Sequence, residues 1–471
     1  MALVSSSIPN LANGVSQQAP SVRLNSQAEE QVNAFSSIIS GLRKRPPTQY
    51  LANLVSNAAA NGNFFIHTIN RDVTERYIVI ADNTSLKVFG FDGTEYSVST
   101  PSGYSYLATG NPFTDFKSVT IADFTFILNK SISTSVTAST STPAHPEAIV
   151  HVKQGNYAQD YKVFIDNVQR ATYTTSATDK ADLKTNNIAT QLTSQLISNL
   201  GSVYTITRNG SAIRIQRTDG NDFTLRTEDS FGNAALIGSK GSVQRFSDLP
   251  RRAFNGSKMK VVGEETSEAD NYYVEYEAGD TAEGVWKESI AEGADSTLNA
   301  ATMPWKLVRN ANGTFTFSPN AWISRSVGDA ISASDPSFVG KKLNDIFFHR
   351  NRLGVIADEN VIFSRSGSYF SFYPETVTTV LDTDPIDVAV SHTKVSILRH
   401  AIPFNETLLL FSDQTQFMLS AGDSLTPATV SINQTTEYES SLQAEPVGAG
   451  EYVYFATNRE GFTGVREFFV Q

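Results

Sequence analysis

Short apolar runs broken by polar turns recur along this chain. Residues 76–98, "RYIVIADNTSLKVFGFDGTEYSV", read as strand, polar turn, strand, tight Asp92-Gly93 turn and strand. Tyr77, Val79 and Ala81 share one face at a period of two; Leu86, Val88 and Gly90 share a face of the next strand. "FKSVTIADFTFILNKS" repeats the theme with Asp123 at its turn. It returns in "DIFFHRNRLGVIADENVIFSRSGS", "LLLFSDQTQFMLSAG" and "EYVYFATNREGFTGVREFFV". No strict WD or kelch signature accompanies the repetition. Antiparallel hairpins repeated this way predict a mainly β fold with β-propeller-like blades, with a β-sandwich as the competitor.

The pattern changes in two places. Residues 131–148 form a Ser/Thr/Pro-rich connector. After it come two predicted strands with a turn at Gly155-Asn156. A helix follows, from Leu183, Ile188, Leu192, Leu196 and Leu200 at near-helical spacing, with Asp182 or an earlier polar residue as its cap. A hairpin at Asn209-Gly210 comes next. The spacing therefore predicts first blades over 49–148, an inserted α+β module over 149–250, a β-hairpin extension of that insertion over 251–334, and further blades of the same propeller over 335–471. Residues 1–48 differ again: rich in Ser, Asn, Gln and Ala, they read as an extended arm with one short helix near 27–39, ordered by a partner surface. The end, "GVREFFVQ", stops inside an apparent strand, which suggests a truncated chain.

Composition agrees with a folded β protein. Apolar residues make up 40% and charged ones 18%, and 29 Phe and 17 Tyr accompany many Thr, Ser and Val. With 37 basic and 48 acidic side chains the net charge is −11, and no long basic stripe suggests sequence-reading of DNA. The absence of cysteine removes disulfides, thiolate metal sites and thiol nucleophiles. The N-terminus has no signal-peptide pattern, and no apolar run is long enough to predict a membrane span.

Candidate chemistry is sparse. There is no GxSxG elbow and no phosphate-binding Gly-rich loop, and the six histidines lack metal-ligand spacing, so neither cofactor nor metal is expected. "LDTDPIDV" places Asp382, Asp384 and Asp387 close together. On a strand, Asp382 and Asp384 would point the same way, which would suit a cation or a carboxylate pair of the glycoside-hydrolase kind. A capped turn before Pro385 is the simpler reading. In "FFHRNRLGVIADEN", Arg350 and Arg352 would share a strand face and pair with Asp345, Asp358 or Glu359, or else clamp a phosphate.

One short segment stands out against the acidic whole: Arg43, Lys44 and Arg45, followed by Pro46 and Pro47. It closes the stretch "SIPNLANGVSQQAPSVRLNSQAEEQVNAFSSIISGLRKRPP". With its opening Ile8, Asn10, Leu11, Gly14, Ser16, Gln17, Gln18 and Pro20, this stretch resembles the N-terminus of the tail nozzle (tail tubular protein B) family of short-tailed autographivirus-type podophages. The likeness continues through "FFIHTINRD", "TIADFTFILNK", "DIFFHRNRLGVIADENVIFSRSGSYFSFYP" and "DTDPIDVAVS". The resemblance implies a structural virion tail protein, not an enzyme, assembled in the host bacterial cytoplasm as a homo-hexameric ring. The ring would sit below the tail adaptor (tail tubular protein A), help hold the tail fibres, and line the distal channel through which viral DNA passes without sequence-specific binding. The inserted module would then be a platform or fibre dock, and the alternative to the structural reading is a tail-associated glycoside hydrolase acting on host surface polysaccharide through Asp382 and Asp384. Gln17, Gln18, Arg43, Lys44, Arg45, Pro46 and Pro47 become candidate assembly contacts, since prolines leave little chain entropy to lose on docking.

Overall fold

The computed structural model describes residues 10–55, 63–137, 145–263, 268, 270–279, 283–393 and 395–469. Two compact units emerge: Met1–Asn57 with Asp92–Thr94, and Ala58–Phe91 with Glu95–Gln471.

The arm unit contains a hairpin where a helix was expected. Ala34–Ser37 pairs antiparallel with Gly41–Lys44. Asn33 sits at φ 51° and Gly41 at φ 70°, so left-handed residues bracket the segment and rule out a continuous helix. A Cβ on Gly41 would also press on the Asn10 side chain at 3.0 Å. Side chains tie the hairpin down: Ser36 Oγ donates to the Leu11 carbonyl at 2.6 Å and accepts from Gln31 Nε2 at 2.6 Å. Further back, Val15 and Ala28 form a parallel bridge.

The larger unit is mainly β. Five sheets succeed one another. The first holds Phe65–Asn70, Arg76–Ala81, Leu86–Gly90 and Glu95–Tyr96 in chain order. The second runs Val98–Ser99, Phe315–Ser318, Trp305–Arg309, Phe124–Asn129, Phe116–Ile121. The third holds Asp345–His349, Arg352–Ala357, Asn360–Phe363 and Ile386–Ala389; the fourth Leu398–Phe404, Thr407–Ser412, Gln416–Ser420 and Ser431–Thr436. The fifth holds Val447–Ala449, Tyr452–Arg459 and Phe462–Phe469. Period-two alternation makes each sheet apolar on the faces that meet its neighbours.

Four cores lie between these sheets. Tyr77, Val79 and Val88 of the first meet Phe116, Ile127 and Trp305 of the second. The opposite face of the second sheet, with Phe126 and Leu128, meets Ile346, Leu353 and Val355 of the third. Phe347, Ile356 and Phe363 then meet Leu408, Leu410 and Phe417 of the fourth, and Leu409 and Phe411 meet Val453 and Phe455 of the fifth. The leading strands Phe65–Asn70, Phe116–Ile121, Asp345–His349, Leu398–Phe404 and Val447–Ala449 neighbour one another in that order.

The insertion enters and leaves through a paired neck: Val136 and Thr137 pair with Leu298 and Thr297. The expected connector is held to the body on its near side, where Ser133 bridges Lys342; residues 138–144 lie outside the described residues. Within the insertion an eight-stranded sheet and a three-stranded sheet sandwich the helix Thr185–Asn199, whose Ile188, Leu192 and Leu196 are fully buried. The flanks of Gly155-Asn156, Glu147–Val152 and Asp160–Ile165, fall in different sheets, so no hairpin turn forms there. The local turn is instead Asp166-Asn167, both at positive φ. Asp182 does not cap the helix; its carboxylate takes the Ser176 N–H at 3.1 Å, and Asp179 caps the preceding short turn. The range 251–334 divides: strands up to Ser289 continue the insertion's large sheet, whereas Trp305–Arg309 pairs with Phe124–Asn129 in the second sheet. The insertion also touches the third sheet's connecting loop, where Glu288 accepts from Val377 N at 2.7 Å and Thr376 Oγ1 at 2.6 Å.

Candidate functional site

The basic segment of the arm lies on the second leg of the hairpin. Arg43, Lys44, Arg45, Pro46 and Pro47 are all exposed, as are Gln17 and Gln18. Arg45 is anchored to Asn33, its backbone N–H on the carbonyl at 2.8 Å and its Nε on Oδ1 at 3.1 Å. Among the described residues no ion pair engages Arg43 or Lys44. Gln18 accepts at its carbonyl from Arg23 at 3.0 Å, which shapes the turn and leaves its amide outward.

A second site lies along the row of five leading strands. Lys117, on the second sheet, reaches Glu445 at 2.7 Å and Asp345 at 3.8 Å. Asp345 is 1% exposed, and its two oxygens accept the N–H groups of Ile346 and Ala401 at 2.8 Å each. One carboxylate thus ties the third sheet to the fourth through the backbone and to the second through an ammonium. Burial pushes Asp345 up to about 6 despite Lys117 beside it. Lys117 feels burial pulling it down, but Asp345 and Glu445 outweigh this and raise it. Both members of the Asp345–Lys117 pair shift upward because the aspartate carries the full desolvation cost, while the lysine answers to two carboxylates. Glu445, resisted by burial, is lowered by Lys117. His67 and His400 are held down to about 4, chiefly by burial, so both are neutral near pH 7. His67 Nε2 lies 2.8 Å from Thr120 Oγ1. A cavity of about 630 Å³ opens beside the cluster, walled by Phe65, Phe116 and Leu442 with Lys130, His400 and Glu445.

This cluster holds two carboxylates of divergent proton affinity, yet it is not an acid–base pair. Both Asp345 oxygens are taken by backbone donors and the residue is buried, so no sugar oxygen reaches them. Its chemistry is that of a cross-sheet tie. Sequence reading missed it because its members are scattered from residue 67 to residue 445 and no local spacing announces them; the only signal was the placement of polar residues on apolar leading strands.

The acidic run at 382–387 takes up turn duties. Asp384 is buried and accepts the Leu381 N–H at 2.8 Å, while Asp382 is exposed, so the two do not share a strand face. Asp387 accepts from Ser337 N and Oγ at 2.7 Å each. Arg352 is fully buried and donates to the carbonyls of Ser364, Asp384, Asp382 and Leu425. Arg350 sits in the turn at φ 44° and donates to the Gly422 carbonyl at 2.8 Å, with Glu406 at 3.7 Å. Neither arginine pairs with Asp345, Asp358 or Glu359, and the turn separates them from a common face. Among the described residues no group of three or more His, Asp or Glu is placed to hold a metal, and no helix is long and apolar enough to cross a membrane.

Comparison with known proteins gives a context for these features. The chain is 37% identical over 478 residues to the tail tubular protein gp12 of Escherichia phage T7, covering all of this chain and 60% of that protein. The chain therefore spans less than two thirds of that relative's length. Among solved structures, the AfRom2 CNH domain (7% identity, 86% of this chain and 83% of that one) and a yeast Nup82-Nup159-Nup116 nucleoporin complex (8% identity, 86% and 98%) align with TM-scores of 0.24 and 0.21, values that decide nothing about fold. The bacteriophage nozzle protein family matches residues 1–471. The chain belongs to the bacteriophage nozzle protein family, structural proteins of the virion tail.

Proposed function

We propose that the chain builds the wall of a tail nozzle ring, the distal conduit for DNA ejection, without performing chemistry. The observation that carries this reading is the family relationship along the whole chain. The fold supports it physically. Five sheets packed face to face through four apolar cores form a stiff body. Their leading strands neighbour one another in chain order, an arrangement that supports reading residues 63–137 and 335–469, with the strands of 305–318, as blades of one β-propeller. The inserted module is the platform or fibre dock.

In this reading six copies form the ring, which meets the adaptor above it and receives tail fibres. The arm, with Gln17, Gln18 and the Arg43–Pro47 segment, makes assembly contacts. The net charge of −11, repeated around a ring, gives the lumen a negative potential that passes DNA without retaining it. The test is native mass spectrometry and negative-stain imaging of the purified protein with and without its adaptor. Six-fold rings that cap the adaptor support the proposal; a monomer that never associates with either overturns it.

A further inference from the structure

The arm hairpin has an unusual tip. Its register, Ser37 opposite Gly41, leaves Ile38, Ile39 and Ser40 as the loop. Hairpin loops ordinarily carry Asn, Asp or Gly, which tolerate the backbone and face water at no cost. Here two β-branched aliphatics stand outermost: Ile38 is 89% exposed and Ile39 94%. Phe35 and Leu42, behind them on the two legs, are also exposed. The Ser36 and Arg45 bonds hold the base of the hairpin, so the tip is presented and not merely loose. Apolar area gathered on a projecting, anchored loop is the mark of a docking element.

Charge indicates what receives it. Residues 1–57 carry four basic and two acidic side chains, whereas the whole chain carries 37 and 48. The cationic leg beside the tip, Arg43 to Arg45, is thus complementary to the acidic remainder of this same sequence. Resting on the ring reading above, we infer that the Ile38-Ile39 tip is the apolar anchor of the arm and seats on the acidic β body of a second copy, with Arg43, Lys44 and Arg45 steering the approach. Ile38 and Ile39 set how long the contact lasts, and the basic residues set how fast it forms and how strongly salt weakens it.

The full chain carrying Ile38→Ser and Ile39→Ser is compared with wild type by sedimentation velocity at low and moderate salt, with circular dichroism confirming the fold. Self-association weakened at least tenfold at both salt levels is the expected result. Unchanged self-association overturns the inference, even if adaptor binding is lost, while wild-type rings would leave the ring reading standing. Wild type that forms no ring would instead sink the ring reading itself. A second arm places a photoreactive benzoylphenylalanine at position 39 and mixes light and heavy isotope-labelled chains. Crosslinks between labels that map to residues 63–469 support the seat on a second copy; crosslinks within one chain only, or none, refute it.

Discussion

Removing the charge of Asp345 should change how stability depends on pH in a calculable way. The residue's carboxyl is raised from 3.8 to about 6 in the folded protein. The folded state therefore holds this proton more tightly than the unfolded chain does. Stability from this group is fully present below about pH 4 and is lost as pH rises through 6. With those two values the cost is about 1 kcal/mol at pH 4.5 and about 3 kcal/mol at pH 7.5. Asp345→Asn has no such cost at any pH. It does lose an acceptor, because its amide NH2 must face one of the two N–H groups, Ile346 or Ala401, that the carboxylate satisfied. That mismatch costs about 1–3 kcal/mol and does not vary with pH. Wild type should therefore equal or exceed the variant by up to about 2 kcal/mol at pH 4.5 and equal or fall below it by up to about 2 kcal/mol at pH 7.5, so that its margin falls by about 2 kcal/mol between the two. Urea unfolding of both proteins at matched pH values, followed by tryptophan fluorescence, measures this difference and cancels contributions they share. A margin that stays constant or widens with rising pH would refute the reasoning, since Lys117 would then be compensating the buried carboxylate in full.

Other consequences follow from the same structure. His67, His151, His349 and His400 are each lowered to about 4 mainly by burial, so each gives stability that is present above pH 6.5 and lost as pH falls toward 4. Four such groups oppose two carboxyls raised by burial, Asp345 and Glu147, so the urea midpoint should drop between pH 6.5 and 4.5, and His67→Gln should flatten that drop. Arg352→Ala leaves five carbonyls, three of them buried, without their shared donor and should cost about 3–5 kcal/mol in a denaturation experiment, with Arg352→Lys recovering only part because an ammonium cannot span the fork. Replacing Arg43, Lys44 and Arg45 together by Ala should leave the unfolding midpoint within about 0.5 kcal/mol of wild type but weaken nozzle or adaptor association in native mass spectrometry. Normal assembly combined with slowed DNA ejection would instead assign the segment to the channel.

Local β structure was legible because its information is local. Alternation in 76–98 and 116–131 places Tyr77, Val79, Phe126 and Leu128 on sheet faces without knowledge of partners. The helix at 185–199 was legible from its leucines for the same reason. Pairing across long gaps was not: nothing near Phe315 says that it meets Val98, nor that Trp305 lies opposite Ile127. The arm misled because "QAEEQVNAF" has helix-forming composition, whereas Asn33 and Gly41 in left-handed conformations decide its path. Arg352 was expected to seek carboxylates; carbonyls freed by an irregular loop satisfied it instead. The Lys117–Asp345–Glu445 tie needs three sheets to exist before its members meet.

The paired neck of the insertion bears on how such a protein can change over time. Val136 and Thr137 lie directly across from Leu298 and Thr297, so the chain leaves the stacked sheets and returns to them at adjacent points. The sheets therefore experience the whole excursion as one closed loop, and the entropy of closing a loop grows only slowly with its length. A longer, shorter or wholly different module with neighbouring ends could occupy the same socket while the four apolar cores remained as they are. Its remaining obligations are the few contacts outside the neck, such as Glu288 with Thr376 and Val377. The neck thus separates a body whose sequence is constrained by packing from a module constrained mainly by where its two ends must lie.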